Sequence, residues 1–198
     1  MIPILILAAG TSSRMRGGDK LLEEVRGEPL LRLQAQRALR TGYQVYIALG
    51  PDSHARAVVL SDLDVTCLTI PEATEGMSGT MRGAVAKLPA APAFMMLLGD
   101  LVALETEDLK RVFKAREDQP DHLIWRGATT GGKPGHPIIF DASLRPEFAK
   151  LAGDSGGETL VKPLREQTCL VPFHDDRARL DLDTPEEWAA WRASLAKK

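Results

Sequence analysis

A short apolar run followed directly by a glycine-rich polar loop constrains this chain more than any other feature of its sequence. Residues 4–7 are continuously apolar, which is typical of a strand buried on both faces of a parallel sheet. Residues 10–18 then contain three glycines and three hydroxyl side chains, while Arg14 and Lys20 supply positive charge. Backbone N–H groups in such a loop can approach an anion closely. The stretch predicts a strand leading into a triphosphate-binding loop, with an ordinary surface loop as the alternative.

The length and composition predict one folded domain over residues 1–198. The chain has 44% hydrophobic and 26% charged residues, which are ordinary values for a globular protein. Its formal charge of −2 provides no basic footprint for nucleic acid. The N-terminal apolar run is too short for a membrane span and lacks a basic leader. We therefore expect a cytoplasmic protein with neither nucleic acid nor a membrane as partner.

Strands and helices are expected to alternate along the chain, which favours βαβ units and a mostly parallel sheet. Further apolar segments predict strands at residues 44–49, 65–70, 93–98, 122–125, 138–140 and 169–173. Periodicity and end signals predict helices between Pro29 and Gly42, at 53–60, after Ser78 as N-cap, and at 106–117, 144–151 and 158–165. Cys67 and Cys169 are expected to be buried thiols without a function.

Two polar residues in the second half are candidates for a site. Asp100 follows the strand at 93–98, and ligands of open α/β sheets bind outside the carboxyl ends of the strands. An aspartate there is also common as a turn residue or helix cap. His136 lies in the glycine-rich segment 129–137, which predicts a hairpin or crossover loop, and the proline after it holds it extended.

The segment near the C-terminus predicts the start of a helix. Thr184 as N-cap, Pro185 at the first helical position and Glu187 at the third form a capping box. Trp188, Trp191 and Leu195 would form the buried face of that helix. Helix-start chemistry does not require the two aspartates that precede it, at positions 181 and 183.

Several of these segments resemble one known family. L-A-A-G-T-S-S-R-M, followed by Lys20, resembles the L-A-A-G-x-S-x-R-M-G-x-x-K signature of the MobA-like NTP transferases, in particular their molybdenum cofactor cytidylyltransferase branch. Four later segments resemble further elements of that family: G-M-S-G-T-M-R-G-A-V, L-L-G-D-L, G-K-P-G-H-P and D-L-D-T-P-E-E. The resemblance implies a single-domain, Rossmann-like, three-layer α/β/α nucleotidyltransferase fold.

The sequence departs from the family's pattern at three places. Arg16 is an extra residue in the loop, and Val102 stands where a proline is usual. In the segment similar to G-D-x-G-A-R, Gly157 and Glu158 replace Ala-Arg, so an anion-binding arginine is missing. Lys162 is its candidate replacement.

The resemblance also implies roles for individual residues. Lys20, Arg14 and Asp100 would be catalytic, Asp100 and Asp183 would bind Mg²⁺, and His136 would contact the acceptor. The implied nucleotide-binding residues are Leu7, Ala8, Ala9, Gly10, Thr11, Ser12, Ser13, Thr80 and Arg82.

The implied function is Mg²⁺-dependent transfer of a nucleoside monophosphate from an NTP to a molybdopterin-type acceptor, with release of pyrophosphate. Ala9 favours CTP, because L-A-A-G is found in cytidylyltransferase-like members and L-A-G-G in guanylyltransferase-like ones. A molybdoenzyme or its chaperone is a candidate partner. Two alternatives remain: a sugar- or polyol-phosphate nucleotidyltransferase, and a non-catalytic nucleotide-binding regulator or cofactor carrier.

Overall fold

The computed structural model describes residues 1–153 and 156–195 as an α/β protein. Within them the strands β1 to β9 are Ile4–Ala8, Glu24–Val25, Glu28–Pro29, Val45–Leu49, Thr66–Thr69, Ala93–Leu98, Ile124–Ala128, Pro134–Asp141 and Thr168–Pro172. The helices α1 to α7 are Leu30–Leu39, His54–Val58, Met77–Lys87, Thr106–Asp118, Arg145–Phe148, Glu158–Val161 and Pro185–Leu195. Short 3-10 turns occur at Ser13–Met15, Pro71–Glu75, Ala142–Leu144, Lys162–Gln167 and Arg177–Arg179.

Seven of the strands form one mostly parallel sheet in the order β5-β4-β1-β6-β8-β7-β9. The strand β1 lies parallel to β4 and β6, and β4 lies parallel to β5. The strand β8 runs antiparallel to β6 and β7, and β9 is parallel to β7. Because β1 and β6 are parallel neighbours, the residues that follow them meet at one edge of the sheet.

Helices cover both faces of this sheet, which confirms the predicted three-layer fold. Successive residues of β1 point to opposite faces. Ile4 and Ile6 belong to a first core, which α1 and α4 cover, while Leu5 and Leu7 belong to a second core, which α3 and α5 cover. The continuous apolar run at the N-terminus therefore reflects burial on both faces.

The predicted glycine-rich loop at residues 129–137 is wrong over its second half. The strand β8 begins at Pro134, so Gly135 and His136 are strand residues. Gly135 is required by close packing, since a Cβ added there would lie 2.2 Å from the carbonyl oxygen of Ala178. A glycine that permits close approach of two backbones looks the same in sequence as a turn glycine.

The predicted N-cap of α3 is also wrong. The helix starts at Met77, and the preceding Gly76 has a φ of 94°, which favours glycine. Ser78 lies inside the helix and is buried. Gly76 therefore occupies the N-cap position of α3 that was predicted for Ser78.

Two burial predictions fail at the periphery of the fold. Cys67 is exposed because β5 is an edge strand of the sheet, whereas Cys169 is buried as expected. At the C-terminus Trp188 is only 1% exposed and Trp191 packs partly against the same cluster, but Leu195 is 42% exposed. The helix α7 thus packs on the protein through its first two turns.

The two helices predicted between residues 144 and 165 are shorter than expected. The structure has α5 and α6 there, and a 3-10 turn at Lys162–Gln167 follows α6. Asp154 and Ser155 of the predicted G-D-x-G element lie outside the described residues. Within the described ranges, each helix is too short or too polar to cross a bilayer.

Candidate functional site

A cleft lies beside β1 at the carboxyl edge of the sheet. It consists of two adjoining cavities of about 330 and 240 Å³. The turn after β1, made of Ala9, Gly10 and Thr11, lines both cavities. The larger cavity is bordered by residues 50–53 after β4, and the smaller one reaches Asp100 after β6. This position is the one expected for a ligand of an open α/β sheet.

A buried ion pair braces the loop that follows β1. Arg56 of α2 is only 5% exposed, and its Nε lies 2.7 Å from a carboxylate oxygen of Asp19. The same guanidinium donates to the carbonyl oxygen of Ala8 at 2.7 Å, and Ser12 donates to Asp19 at 3.1 Å. Burial opposes the negative charge of Asp19, but the hydrogen bond and charge of Arg56 outweigh it and lower the pKa of that carboxyl group. Sequence reasoning does not identify this brace, because 37 residues separate the two partners.

Three aspartates, of which Asp100 lines the smaller cavity, converge beside the cleft and are called the acidic triad below. Carboxylate oxygens of Asp100, Asp181 and Asp183 all lie within 4.8 Å of one another. An isolated β-bridge between Leu101 and Asp181 brings the two segments together. Burial, followed by repulsion from Asp100 and Asp183, raises the pKa of Asp181 above its ordinary value. The sequence predicts Asp100 and Asp183 as metal ligands. The structure adds Asp181 to them, through the β-bridge between Asp181 and Leu101.

Two basic side chains from the loop pair with two of the three aspartates, Asp100 and Asp183. The ammonium group of Lys20 donates to Asp100 at 2.5 Å and to Asp183 at 2.6 Å. Burial opposes the positive charge of Lys20, but the two carboxylates outweigh it and raise its pKa. Arg14, for which the resemblance implies a catalytic role, pairs with Asp183 at 2.7 Å. The structure thus brings all three predicted catalytic residues and the second predicted metal ligand together.

The donor set of the triad fits a hard divalent cation. Carboxylate oxygens are the ligands that Mg²⁺ and Mn²⁺ prefer. The Oδ1 atom of Asp100 is buried and lacks a hydrogen-bond partner among the described residues, whereas Oδ2 contacts Lys20. A buried carboxylate oxygen without a partner is costly unless a donor or a cation satisfies it.

The predicted nucleotide-binding residues separate into two groups. Six of them line the cleft: Leu7, Ala8, Ala9, Gly10, Thr11 and Thr80. Ser12 shapes the loop in a left-handed conformation with a φ of 52°, and Ser13 is exposed in the 3-10 turn. Arg82 is not among the residues that line the cleft. Its guanidinium donates to the carbonyl oxygen of Leu151 at 2.8 Å and pairs with Glu75 at 2.6 Å.

His136 occupies the strand next to Asp100 and is partly buried. Its Nδ1 lies 3.5 Å from the carbonyl oxygen of Met96. Burial, and then the positive charge of Arg126, lower the pKa of His136 to about 4. The imidazole is therefore neutral at pH 7, and the charge of Asp100 also acts on it.

A mostly parallel α/β sheet with a loop-lined cleft and an acidic triad at its carboxyl edge is the architecture of a nucleotide-using transferase. The chain belongs to the family described as MobA-like NTP transferase domain, which it matches over residues 4–169. The protein is therefore a nucleotidyltransferase of the MobA-like family.

Named relatives show how different the members of this family are. A molybdenum cofactor guanylyltransferase from Rhodopseudomonas palustris is 31% identical over 144 residues, which cover 69% of this chain and 63% of that protein. Nicotine blue oxidoreductase from Paenarthrobacter nicotinovorans is 24% identical over 190 residues, 92% of each chain. Since a fold hosts several reactions, chemistry must be argued from the site.

Solved structures agree with the fold. The crystal structure of Rv0371c from Mycobacterium tuberculosis H37Rv is 28% identical with a TM-score of 0.80, and the match covers 96% of this chain and 97% of that one. A structure of the same protein in complex with manganese matches with 25% identity and a TM-score of 0.80, over 98% of both chains.

Proposed function

We propose that this protein is a Mg²⁺-dependent nucleotidyltransferase that moves CMP from CTP to the phosphate of a molybdopterin-type acceptor and releases pyrophosphate. One observation carries the proposal: Lys20 and Asp100 line the same cavity as the turn after β1, and Lys20 also contacts Asp183 of the acidic triad. Nucleotidyl transfer depends mainly on positioning and on neutralising phosphate charge. These groups can supply both.

The nucleotide is assigned to the turn after β1 and the start of α3. Backbone N–H groups of residues 10–13 would hold the β- and γ-phosphates, and Arg14 would join them by leaving Asp183. The apolar side chains of Leu7 and Ala8, together with Thr80, would contact the nucleoside. A contact from Arg82 would require that side chain to leave Glu75.

Lys20 is assigned to the transferring phosphate. An oxygen of the acceptor phosphate attacks the α-phosphorus, and the bond from that phosphorus to the bridging oxygen breaks. The electron pair leaves with pyrophosphate. The ammonium of Lys20 would stabilise the negative charge on the α-phosphate during this exchange.

Asp100 and Asp183, with Asp181 beside them, would hold Mg²⁺, which supplies charge neutralisation at the phosphates when bound. The buried, unpaired Oδ1 of Asp100 supports this assignment. The manganese complex of the mycobacterial relative supports a divalent cation in this family.

The choice of CTP is supported by the position of Ala9. Its methyl group faces the loop after β4 and would lie 4.0 Å from a Cβ built on Gly50. Ala9 lines both cavities of the cleft, so a glycine in its place would leave more room beside the nucleoside, and the alanine favours the smaller pyrimidine. The relative named as a guanylyltransferase supports molybdenum cofactor as acceptor, and its name points to GTP as the competing nucleotide.

The proposal is tested by calorimetric titration of CTP, GTP and ATP, with and without Mg²⁺, followed by pyrophosphate release with molybdopterin. We expect Mg²⁺-dependent binding of CTP, and a loss of affinity of about tenfold or more in Asp100→Asn. Asp118→Asn is the matched control, because Asp118 is an exposed residue at the end of α4 and pairs with Lys114. Absence of NTP binding, or binding of NADPH in its place, would overturn the proposal.

Other outcomes identify the alternatives. Turnover with sugar or polyol phosphates but not with molybdopterin would replace the acceptor, and no turnover with any acceptor would indicate a nucleotide-binding regulator or carrier.

Ala9→Gly should raise the use of GTP relative to CTP by about tenfold, since one methyl group in a pocket discriminates to that extent. A parent protein that prefers GTP would discard the argument from Ala9 and leave the transfer reaction in place. Binding to a molybdoenzyme or its chaperone is a further proposal, which a pull-down with a molybdoenzyme of the same organism tests.

A further inference from the structure

A second cavity on the far side of β8 is lined by basic residues. It has a volume of about 540 Å³, and Arg126, Lys162, Arg165 and Arg179 surround it. We call it the basic pocket. Among the described residues that line it, Glu158 supplies the one carboxylate. The cavity therefore carries an excess of positive charge.

The four cations of the basic pocket make no ion pair with any described residue. Two of them are held by backbone carbonyl groups instead. Arg126 donates through Nε to Gly135 at 3.1 Å, and Arg179 donates to Pro134 at 2.8 Å. These contacts fix the two guanidinium groups and leave other N–H donors of each available.

Like charge accumulates around Arg126 in particular. Burial, followed by repulsion from Arg179, lowers the pKa of Arg126 to about 10. A bound anion would offset both the cost of burying the charged guanidinium of Arg126 and its repulsion from Arg179. The free energy of anion binding is therefore more favourable here than at an exposed arginine.

The strand β8 lies between β7, which carries Arg126, and β6, which precedes Asp100. His136 on β8 experiences the charge of Asp100 as well as those of Arg126 and Arg179. Arg179 also precedes Asp181 of the triad by two residues, on the segment that packs against Gly135.

We propose that the basic pocket binds an acidic group, phosphate or carboxylate, of the acceptor substrate, and that Arg126 and Arg179 determine acceptor specificity. This inference rests on the proposed function, since it takes the molecule held there to be the acceptor of nucleotidyl transfer. It also explains how the chain manages without an arginine at position 158: cations from β7, the 3-10 turn after α6 and the segment before Asp181 surround the same space.

The test is a calorimetric titration of the full-length protein with glycerol 3-phosphate and with succinate. Both titrations are made with Mg²⁺ and a saturating CTP analogue whose α–β bridge is a methylene group, so that the cleft beside β1 is filled. We expect Arg126→Met, Arg179→Met and Lys162→Met each to weaken binding of one probe by about tenfold. Arg40→Met, a change of an exposed arginine at the end of α1, is the matched control.

Glu158→Gln supplies a test in the opposite direction. Removing the pocket's carboxylate should strengthen binding of the same probe several-fold, a result that a structural role of the pocket would not produce. A preference for glycerol 3-phosphate would assign a phosphate to the pocket, and a preference for succinate would assign a carboxylate.

Unchanged probe binding in Arg179→Met and Lys162→Met, both of which alter exposed side chains, would refute the inference. If the CTP analogue binds while neither probe does, the inference fails and the proposed function stands. If no nucleotide binds but the variants still weaken binding of a probe, the pocket is an anion site and the proposed function fails.

Discussion

Lys20 holds the two sides of the site together at the scale of single residues. Its ammonium group lies between Asp100 and Asp183, whose charges would otherwise repel each other. The same two carboxylate groups are the proposed ligands of a divalent cation, although at Asp100 Lys20 contacts Oδ2 and the proposed ligand atom is Oδ1. Lys20 and the cation therefore compete for negative charge until phosphates enter the cleft.

Replacing Lys20 separates these two roles. In Lys20→Met we expect turnover to fall by at least about 100-fold, because the donor to the α-phosphate is lost. Affinity for Mn²⁺ should be retained or increased, because a competing cation is removed. Mn²⁺ calorimetry and pyrophosphate release measure the two effects. Lys110→Met, a change of an exposed side chain of α4, is the control. Retained turnover would remove Lys20 from the proposed mechanism.

His136 makes the stability of the fold depend on pH. In the unfolded chain its pKa is near 6.5, whereas in the folded protein it is about 4. The unfolded state therefore binds more protons between these values, so the contribution of His136 is complete above pH 6.5 and is lost as the pH falls towards 4.

Removing this imidazole should flatten the pH dependence. The drop in the free energy of unfolding between pH 7 and pH 5 should be smaller by about 2 kcal/mol in His136→Gln than in the parent. Urea denaturation at both pH values measures it. His174→Asn, a change of an exposed histidine, should leave the drop as it is; an equal drop in His136→Gln and the parent would contradict the assignment.

The start of α7 is both a helix cap and a support for the site at the scale of elements. Glu187 accepts hydrogen bonds from the backbone N–H of Thr184 at 2.9 Å and of Asp183 at 2.8 Å, and its own N–H donates to Thr184 at 3.2 Å. The predicted capping box is confirmed. Because Glu187 also holds the backbone of Asp183, the cap orients a member of the acidic triad.

Breaking the cap should therefore have two effects. We expect Thr184→Ala to lower the free energy of unfolding by about 1 kcal/mol, the usual cost of losing a threonine N-cap. It should also weaken Mn²⁺ binding. Thr159→Ala, a change of an exposed side chain of α6, should alter the free energy of unfolding by less than about 0.5 kcal/mol and leave Mn²⁺ affinity unaltered. A stability loss without any change in Mn²⁺ affinity would separate the cap from the site.

The element scale also shows where patterns mislead. The continuous apolar run of β1 and the capping box at Thr184 depend on neighbours a few residues away, so they were predictable. The first half of β8 was not, because Pro134, Gly135 and Pro137 are typical of loops and only the close approach of Ala178 explains Gly135, whereas the predicted strand at 138–140 is confirmed as the second half of β8. The predicted burial of Cys67 is wrong because β5 is an edge strand, and no local sequence pattern predicts the order of strands in a sheet.

One sheet supports two cores at the scale of the whole molecule. Phe94 of β6 faces the second core, and Leu109 of α4 lies in the first. Since the two cores lie on opposite faces of one hydrogen-bonded, seven-stranded sheet, we propose that residues 1–198 unfold as one domain.

Mutations in the two cores should then act on the same transition. Phe94→Ala and Leu109→Ala should each lower the free energy of unfolding by about 3 kcal/mol, because each leaves a cavity in a closely packed core. Urea unfolding followed by tryptophan fluorescence and by far-UV circular dichroism should give coincident curves for the parent and both variants. Separate midpoints for the two probes would show two independent units.

By itself, the sequence determined the features that depend on near neighbours: the doubly buried strand β1, the loop after it, the aspartate that ends β6 and the cap of α7. The tertiary structure alone decided which of these side chains meet. Lys20 reaches partners 80 and 163 residues away, Arg56 braces a loop 37 residues before it, and Asp181 joins the triad through a bridge to Leu101. These contacts depend on the order and direction of strands in the sheet, which is set by packing over the whole chain and not by any local pattern of residues.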